Sequence, residues 1–235
     1  TIGQGGFQEV EQMKLFEDMV AYQEEVRDPS RVAEVLSRVI MQAHRASAPA
    51  QINIPRDMWT QVVDIELPKI VDFERPQGGE SAVARAAELV SNAKFPVILN
   101  GAGVVLADAF DDVTALAERL DAPVCVGYQH NDAFPGSHPL FAGPLGYNGS
   151  KAGMELIAKA DVIVALGTRL NPFSTLPGYG IDYWPKDAKI IQVDINADRI
   201  GLTKPVAVGI VGDAKKVAQG ILAGLSDTAG DAGRE

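Results

Sequence analysis

The sequence predicts an α/β protein whose main sheet is mainly parallel and doubly wound. From Glu80 onward, short apolar runs typical of buried strands alternate with segments of helical periodicity, which is the pattern of a parallel sheet with crossover helices. The run VIVAL at 162–166 is the clearest strand, because consecutive apolar residues suit a strand that is covered on both faces. The strand at 97–99 leads into the glycine turn NGAG, and such turns let a ligand approach the backbone of an open α/β sheet.

Local signals define the elements of this alternating region. Val83, Ala86 and Val90 share one face of a predicted helix, while Asp108 and Asp213 stand where they can cap two later helices. The predicted helices cover 82–92, 108–120, 151–160 and 213–225, and the predicted strands cover 97–99, 123–126, 162–166, 190–193 and 207–210.

Two long segments interrupt the alternation, and both follow predicted strands. They run from Gly127 to Ser150 and from Gly167 to Asp187, and they are rich in aromatic, amide and basic or imidazole side chains. Long loops inside a compact domain are usually functional or contact a partner. Because ligands bind at the carboxyl ends of the strands in open α/β sheets, we expect both segments to border a binding crevice.

The helix-then-strand pattern in residues 1–57 indicates the end of a different α/β domain. Asp28 and Pro29 form a strong helix start, because aspartate caps helices and proline suits the first turn. The helix is expected to end near Ser47, and the strand AQINI follows at 50–54. No strand is predicted before this helix, where the spacing is weakly helical, so the domain would be incomplete.

Composition divides the chain into four parts. Prolines and glycines with mixed charge and little periodicity predict a linker at 58–79. We therefore predict the C-terminal part of one domain at 1–57, the linker, an α/β domain at 80–225, and a small, polar, disordered tail at 226–235.

Charge and cysteine content exclude several classes of function. The formal net charge of −10 argues against nucleic acid as a partner, since phosphate binding needs a basic surface. No apolar run approaches the length of a membrane span, and the N-terminus has neither the basic nor the apolar region of a signal peptide. The single cysteine, Cys125, fits a reducing compartment, so a cytoplasmic location is expected, and its apolar neighbours predict a buried structural thiol.

The predicted crevice carries a partial nucleotide-binding pattern. Gly101 and Gly103 supply two of the three glycines of G-x-G-x-x-G, and a leucine stands at the third position. Arg169 could bind an anion, or it could pair with Asp182 or Asp194. Asp194 could contact ribose hydroxyls, or it could simply cap the end of its strand.

The three histidines do not predict a metal site. His44, His130 and His138 lack metal-ligand spacing. His44 stands at a helix end, where a cation complements the dipole. The other two lie in the first long loop, where they could face a pocket or bond the loop to itself. No metal ligand is predicted in this chain.

Several strings resemble the thiamine-diphosphate enzyme superfamily, which includes the relatives of acetolactate synthase and pyruvate decarboxylase. GGFQEV resembles the loop of the pyrimidine-binding domain that places a Phe-Gln pair at the active site, and PAQINIPRDMW resembles the last strand of that domain. NGAGVV, ALGTRLN and QVDINADRIG resemble successive strand ends of the central domain. The resemblance covers almost the whole chain. It implies a central α/β domain preceded by the C-terminal part of a pyrimidine-binding domain.

A more specific resemblance is to the branch of acyltransferases that cleave sulfoacetaldehyde with phosphate, giving acetyl phosphate and sulfite. CVGYQHNDAFPGSHPL and GPLGYNGSKAGMELI carry this resemblance. It implies thiamine diphosphate and Mg²⁺ as cofactors of the intact enzyme, sulfoacetaldehyde and phosphate as substrates, and a homo-oligomer that is a dimer or a tetramer. The alternatives are another acetolactate synthase-like lyase or decarboxylase, a stand-alone nucleotide-binding module, and a structural domain that mediates subunit contacts.

The resemblance also implies which residues act. Phe7 and Gln8 would face the substrate side of the cofactor, where an amide suits a compact anionic sulfonate and an apolar neighbour excludes water. Glu9 is expected to have a local structural role, because the family's activating glutamate lies far upstream. Gly212-Asp213 resembles only part of the family's metal-binding G-D-G motif and indicates a helix cap instead. We therefore expect an internal portion of the enzyme that does not catalyse alone and binds no cofactor or flavin tightly.

Overall fold

The computed structural model describes residues 3–69, 73–227 and 229. The chain divides into two compact units, Thr1–Phe73 and Glu74–Glu235. This division lies inside the predicted linker, 58–79, and each unit is described by itself below. Except for residues 226, 227 and 229, the tail that was predicted to be disordered lies outside the described residues.

The first unit contains two parallel strands and an amphipathic helix. Asp28 caps the start of the helical segment as predicted, because its Oδ1 accepts a hydrogen bond of 2.9 Å from the Ser30 backbone N–H. Val26, Val35 and Val39 form the small buried core. The elements are α1 (Gln12–Phe16), β1 (Tyr22–Glu25), a 3-10 turn (Pro29–Arg31), α2 (Val32–Ala46), β2 (Ala50–Asn53) and a second 3-10 turn (Arg56–Met58).

The prediction that no strand precedes α2 is wrong, since β1 pairs with β2 in parallel. The strand YQEE lacks apolar alternation, so its pattern did not indicate a strand. Polar contacts stabilise it instead. The Gln23 side-chain amide donates to the Gln51 side-chain oxygen at 2.7 Å, and Arg38 holds the Glu24 carboxylate with two hydrogen bonds of 2.8 and 2.6 Å.

Acid should weaken the first unit through the carboxylates around Arg38. Hydrogen bonds from Arg38 lower the pKa of Glu24 to about 2, and hydrogen bonds from Arg31 and Arg38 lower the pKa of Glu34 to about 2. An unfolded glutamate titrates near 4.5, so these ion pairs stabilise the fold fully above that pH, and the stabilisation is lost as the pH falls toward 2. We expect the melting temperature to fall over this range, modestly because the groups are partly exposed.

The variant Glu24→Gln tests this pH dependence. It should melt lower than the unmodified chain near neutral pH, and the difference should shrink on acidification, as followed by circular dichroism. Equal acid sensitivity in both proteins would contradict a role for Glu24.

The second unit is a six-stranded, entirely parallel sheet, which confirms the predicted fold class. Its strand order is β5-β4-β3-β6-β7-β8. The elements are α3 (Glu80–Ser91), β3 (Pro96–Asn100), α4 (Ala102–Leu106), α5 (Phe110–Leu120), β4 (Val124–Gly127), β5 (Phe141–Leu145), α6 (Lys151–Ile157), β6 (Val162–Leu166), β7 (Lys189–Asp194), β8 (Val208–Val211) and α7 (Ala214–Ala223).

Both faces of this sheet are buried. Helices α3, α5 and α7 pack on one face, where Ile98 of β3 belongs to their core. Val97 and Leu99 point to the opposite face, where they pack with residues of α6 and of the segment that follows β6. Successive side chains of a strand point to opposite faces, so β3, which is fully buried, must be apolar on both.

Two predictions in this unit are wrong. The first long loop was predicted to lack regular structure, but it contains β5. This strand holds Gly143 and Pro144, which obscure the strand pattern and suit an edge strand. Asp108 does not cap a helix. It lies in a turn with a positive φ of 49°, because the glycine turn already starts α4 at Ala102 and α5 begins only at Phe110.

The predicted cap at Asp213 is confirmed. Its Oδ1 accepts hydrogen bonds from the backbone N–H groups of Lys215 and Lys216 at 3.0 and 3.2 Å. Its Oδ2 pairs with Arg75 at 2.9 Å, and its N–H donates to the Pro76 carbonyl at 2.8 Å. The last residues of the predicted linker therefore pack on the second unit at the end of β8.

Candidate functional site

The predicted Phe-Gln pair lies at the tip of a tight turn. The Glu9 backbone N–H donates to the Gly6 carbonyl at 3.1 Å, which closes a four-residue turn around Phe7 and Gln8. Phe7 is 96% exposed, an unusual state for a phenylalanine. Gln8 is also exposed and has a φ of 64°, a left-handed conformation that glutamine rarely adopts. The turn thus presents both side chains outward.

The Glu9 carboxylate holds this turn from within. One oxygen accepts a hydrogen bond from the Gly3 N–H and the other accepts one of 3.1 Å from the Gly6 N–H. These hydrogen bonds lower the pKa of Glu9 below its ordinary value, and the one from Gly3 contributes most. Glu9 therefore has the local structural role that the sequence predicted.

In the second unit, the sheet has the strand order 3-2-1-4-5-6 when β3 is counted as the first strand. This order places a topological switch point between β3 and β6, and ligands of open α/β sheets bind outside the carboxyl ends of strands at such points. We call this side of the sheet the carboxyl edge. The predicted residues Gly101, Gly103, Arg169 and Asp194 all follow or end strands there.

The two glycines of the turn after β3 pack directly against the exit of β6. The Gly103 N–H donates to the Gly167 carbonyl at 2.9 Å, and the Gly101 N–H donates to the Leu166 carbonyl at 3.0 Å. A Cβ atom on Gly103 would lie 2.5 Å from the Gly167 Cα, and one on Gly101 would lie 2.6 Å from the Gly167 carbonyl oxygen. Close backbone packing therefore requires both glycines, whatever else they do.

Arg169 and Asp194 do not pair with each other. Arg169 is exposed, and within residues 3–69 and 73–227 it has no carboxylate at ion-pair distance. Asp194 is buried, and its Oδ1 accepts a hydrogen bond of 2.9 Å from the Asn196 N–H and lies 3.9 Å from the Arg199 guanidinium. Asp194 thus caps its strand, while Arg169 makes no ion pair among these residues.

Two buried amides at this edge escaped the sequence analysis. Asn100 ends β3, where its Nδ2 donates to the Ala133 carbonyl at 2.9 Å and its Oδ1 is buried without a hydrogen-bond partner. Gln192 of β7 donates to the Thr168 and Arg199 carbonyls, both at 3.1 Å, and accepts from the Gly201 N–H at 2.8 Å. It joins the segments that follow β6 and β7. The sequence did contain a sign of them, because Asn100 and Gln192 are each the only amide residue in a mainly apolar strand.

The second unit also has exposed large apolar side chains. In the described part of this unit, every exposed large apolar residue follows or ends a strand of the sheet. A cavity of about 350 Å³ lies among Gly146, Tyr147, Tyr179 and their neighbours. The exposed residues are Leu106, Tyr147, Phe173, Tyr179, Ile195, Leu202 and Val211.

The remaining titratable candidates have structural roles. His138 bonds its own loop, since the Leu140 N–H donates to its Nδ1 at 3.2 Å, and its Nε2 lies 3.3 Å from Glu118. Burial raises the pKa of the Cys125 thiol to about 12, so the predicted structural thiol is confirmed. Burial also raises the pKa of the Tyr183 hydroxyl to about 12.

Metal-ligating side chains are not clustered among the described residues. No three His, Cys, Asp or Glu side chains among them are grouped as a metal ion would require. Asp213, in the Gly-Asp string that resembles part of the metal motif, is committed to Lys215, Lys216 and Arg75. No helix in this part of the chain is long and apolar enough to cross a bilayer.

Comparison with known proteins identifies relatives along the entire chain. It is 81% identical over 235 residues to a protein of Roseovarius nubinhibens described as sulfoacetaldehyde acetyltransferase, and 76% identical over 235 residues to one of Rhizobium meliloti described as probable sulfoacetaldehyde acetyltransferase. Each match covers the whole of this chain but only 39% and 40% of the relative. The chain thus spans about two fifths of the length of these relatives.

A solved structure and a family profile agree on the fold. The crystal structure of benzoylformate decarboxylase from Polynucleobacter necessarius matches 93% of this chain and 43% of its own, with a TM-score of 0.73 and 22% identity. The family described as "Thiamine pyrophosphate enzyme, central domain" matches residues 83–221. These residues include all six strands of the parallel sheet and make up more than half of the chain. The chain belongs to the thiamine pyrophosphate enzyme family, and residues 83–221 of its second unit match the family's central domain.

Proposed function

We propose that this chain is a portion of a sulfoacetaldehyde acetyltransferase. In the longer protein, sulfoacetaldehyde and phosphate would be converted to acetyl phosphate and sulfite with thiamine diphosphate. The observation that carries this proposal is the 81% identity over all 235 residues to the Roseovarius nubinhibens protein of that description. The Gly6–Glu9 turn supports it, because it presents an amide donor and an apolar ring together.

Gln8 and Phe7 would serve the substrate. The Gln8 amide would donate a hydrogen bond to the sulfonate or to the aldehyde oxygen, and a hydrogen bond to a charged group is stronger than one to a neutral group. The Phe7 ring would exclude water from the same place. Both side chains are exposed, and neither has a hydrogen bond or an ion pair with a residue that the structure describes, so they could meet a ligand.

The cofactor would be bound by other parts of the longer protein. Thiamine diphosphate and its Mg²⁺ need acidic and amide ligands that the described residues do not group together. We assign residues 1–57 to the C-terminal part of a pyrimidine-binding domain, 58–79 to a linker and 80–225 to the central domain. The intact protein would be a cytoplasmic homo-oligomer of at least two copies.

A nucleotide in the central domain is the second candidate function. The strand order and the unpartnered Asn100 oxygen at the switch point favour it. Gly101 and Gly103 do not add to it, because their contacts with the exit of β6 explain them fully. Arg169 and Asp194 also follow or end strands at this edge, so with the two glycines they are the residues that would border such a crevice. Titration calorimetry with an adenine nucleotide, comparing Asn100→Asp with the unmodified protein, would detect the site.

The experiment that tests the main proposal is sulfite release. A full-length protein that contains this chain, supplied with sulfoacetaldehyde, phosphate, thiamine diphosphate and Mg²⁺, should release sulfite and form acetyl phosphate. We expect the 235-residue chain alone to release none, because the family's activating glutamate and complete G-D-G motif do not occur in it. Pyruvate in place of sulfoacetaldehyde serves as the control, since an acetolactate synthase-like enzyme would consume it. Turnover by the chain alone would refute the assignment as a portion.

A further inference from the structure

We propose that Glu9 is a positioning residue that fixes the turn presenting Phe7 and Gln8. The inference rests on the proposed function of that turn and deepens it. The Glu9 carboxylate is the group that keeps the Phe7 and Gln8 side chains in one arrangement. Glu9 itself would not touch the substrate, since both of its carboxylate oxygens already accept hydrogen bonds from Gly3 and Gly6.

The first argument is that little else holds this segment. Gly3 and Gly5 have φ values of 77° and 67°, and nothing lies within 4 Å of the place where a side chain on either would begin. A glycine-rich backbone loses much conformational entropy when it is fixed. Among the described residues of this loop, the Glu9 side chain makes the only side-chain hydrogen bonds to the backbone.

The second argument concerns the conformation of Gln8. Its φ of 64° lies in a left-handed region that is unfavourable for a residue with a side chain. Such a conformation persists only when its surroundings enforce it. The backbone bond from Glu9 to Gly6 spans Gln8, and the bond from the Glu9 carboxylate to the Gly6 N–H closes the same four residues a second time. The two bonds together enforce the turn.

The third argument is the chemistry of the acceptor. A carboxylate accepting backbone N–H bonds is a charge-assisted acceptor, and such bonds are about twice as strong as neutral ones. The lowered pKa of Glu9 reflects the same two hydrogen bonds. Glutamine at this position would keep one acceptor oxygen and place an NH₂ group against the other N–H, so it should restore the turn only in part.

A double-mutant cycle in the full-length protein tests the inference. Glu9→Ala should lower kcat/KM for sulfoacetaldehyde about 5- to 50-fold, and Glu9→Gln should lose less. The double variant Gln8→Ala/Glu9→Ala should be no worse than Gln8→Ala alone, because Glu9 acts through Gln8. The matched control is Glu11→Ala, which removes an exposed carboxylate that lies 3.8 Å from Lys14 and takes no part in the turn. It should leave kcat/KM unchanged.

Hydrogen exchange supplies a readout that is independent of activity. At millisecond labelling times, peptides that contain Gly3 and Gly6 should take up deuterium several-fold faster in Glu9→Ala than in the unmodified protein or in Glu11→Ala. Unchanged exchange in Glu9→Ala would overturn the inference whatever the kinetics show. Losses that add in the double variant would equally overturn a role through Gln8. A third outcome is faster exchange in Glu9→Ala together with normal kinetics in Gln8→Ala. This outcome would refute the proposed function of the turn, but it would still show that Glu9 fixes the conformation of the turn.

Discussion

Replacing Gln8 by alanine in the full-length protein should lower kcat/KM for sulfoacetaldehyde about 5- to 150-fold. The loss corresponds to about 1–3 kcal/mol for one hydrogen bond to a charged or developing charged group. Gln8 is exposed, and its side chain has no hydrogen bond to any other described residue, so the melting temperature should stay within about a degree or two. Steady-state kinetics and scanning calorimetry on the same preparation measure both quantities.

Two further variants sharpen this test. Gln4→Ala removes the same side chain from the same loop, away from the tip of the turn, and should leave kcat/KM unchanged. Phe7→Ala should lower the rate through entry of water, again with little effect on stability, because the ring is almost fully exposed. Unmodified kinetics in Gln8→Ala would remove this residue from the site, and a parallel loss of stability would reassign it to a structural role.

Gly167→Ala should destabilise the central domain by about 2–5 kcal/mol. Its φ is 58°, which costs an alanine about 1–2 kcal/mol. The new Cβ would also lie 2.4 Å from the Gly103 Cα, a clash between two backbones that costs a further 1–3 kcal/mol or so. Urea unfolding of the 235-residue chain, followed by far-ultraviolet circular dichroism, should show a clearly lower midpoint.

Gly180→Ala is the matched control for the clash. Gly180 has a similar positive φ of 73°, but nothing lies within 4 Å of the position that its Cβ would take. It should cost only about 1–2 kcal/mol, from the backbone conformation alone. If both variants unfold at the same urea concentration, the contact between the exits of β3 and β6 is not tight in solution.

The elements that could be predicted from the sequence are those in which the local residue pattern matches the burial and hydrogen bonding found in the fold. The run at 162–166 became β6 with those same bounds, because a strand covered on both faces needs an unbroken apolar run. Asp213 and Asp28 became caps, because capping depends on a few neighbouring residues. The predicted Gly103 turn also follows β3 as expected.

The elements that were missed are stabilised by partners distant in sequence. β1 depends on Gln51 and Arg38, which lie on later elements, and β5 depends on pairing with β4 despite its own glycine and proline. The buried amides Asn100 and Gln192 were missed for a related reason. Their partners lie in loops whose positions follow only from the strand order, so the sequence showed a polar residue in a strand without showing what it would bind.

The position of β3 has a consequence for synthesis on the ribosome. It is the first strand of the parallel sheet to be translated, yet it lies in the middle and pairs on both sides, with β4 and with β6. Its partner β4 emerges soon afterwards, but β6 follows only after the whole segment that contains β5 and α6. Until then the nascent chain exposes an unpaired strand edge that is apolar except for Asn100, which favours aggregation. This domain should therefore depend on chaperones more strongly than a domain whose central strands are translated one after the other. Slower translation of residues 101–161 should prolong that dependence.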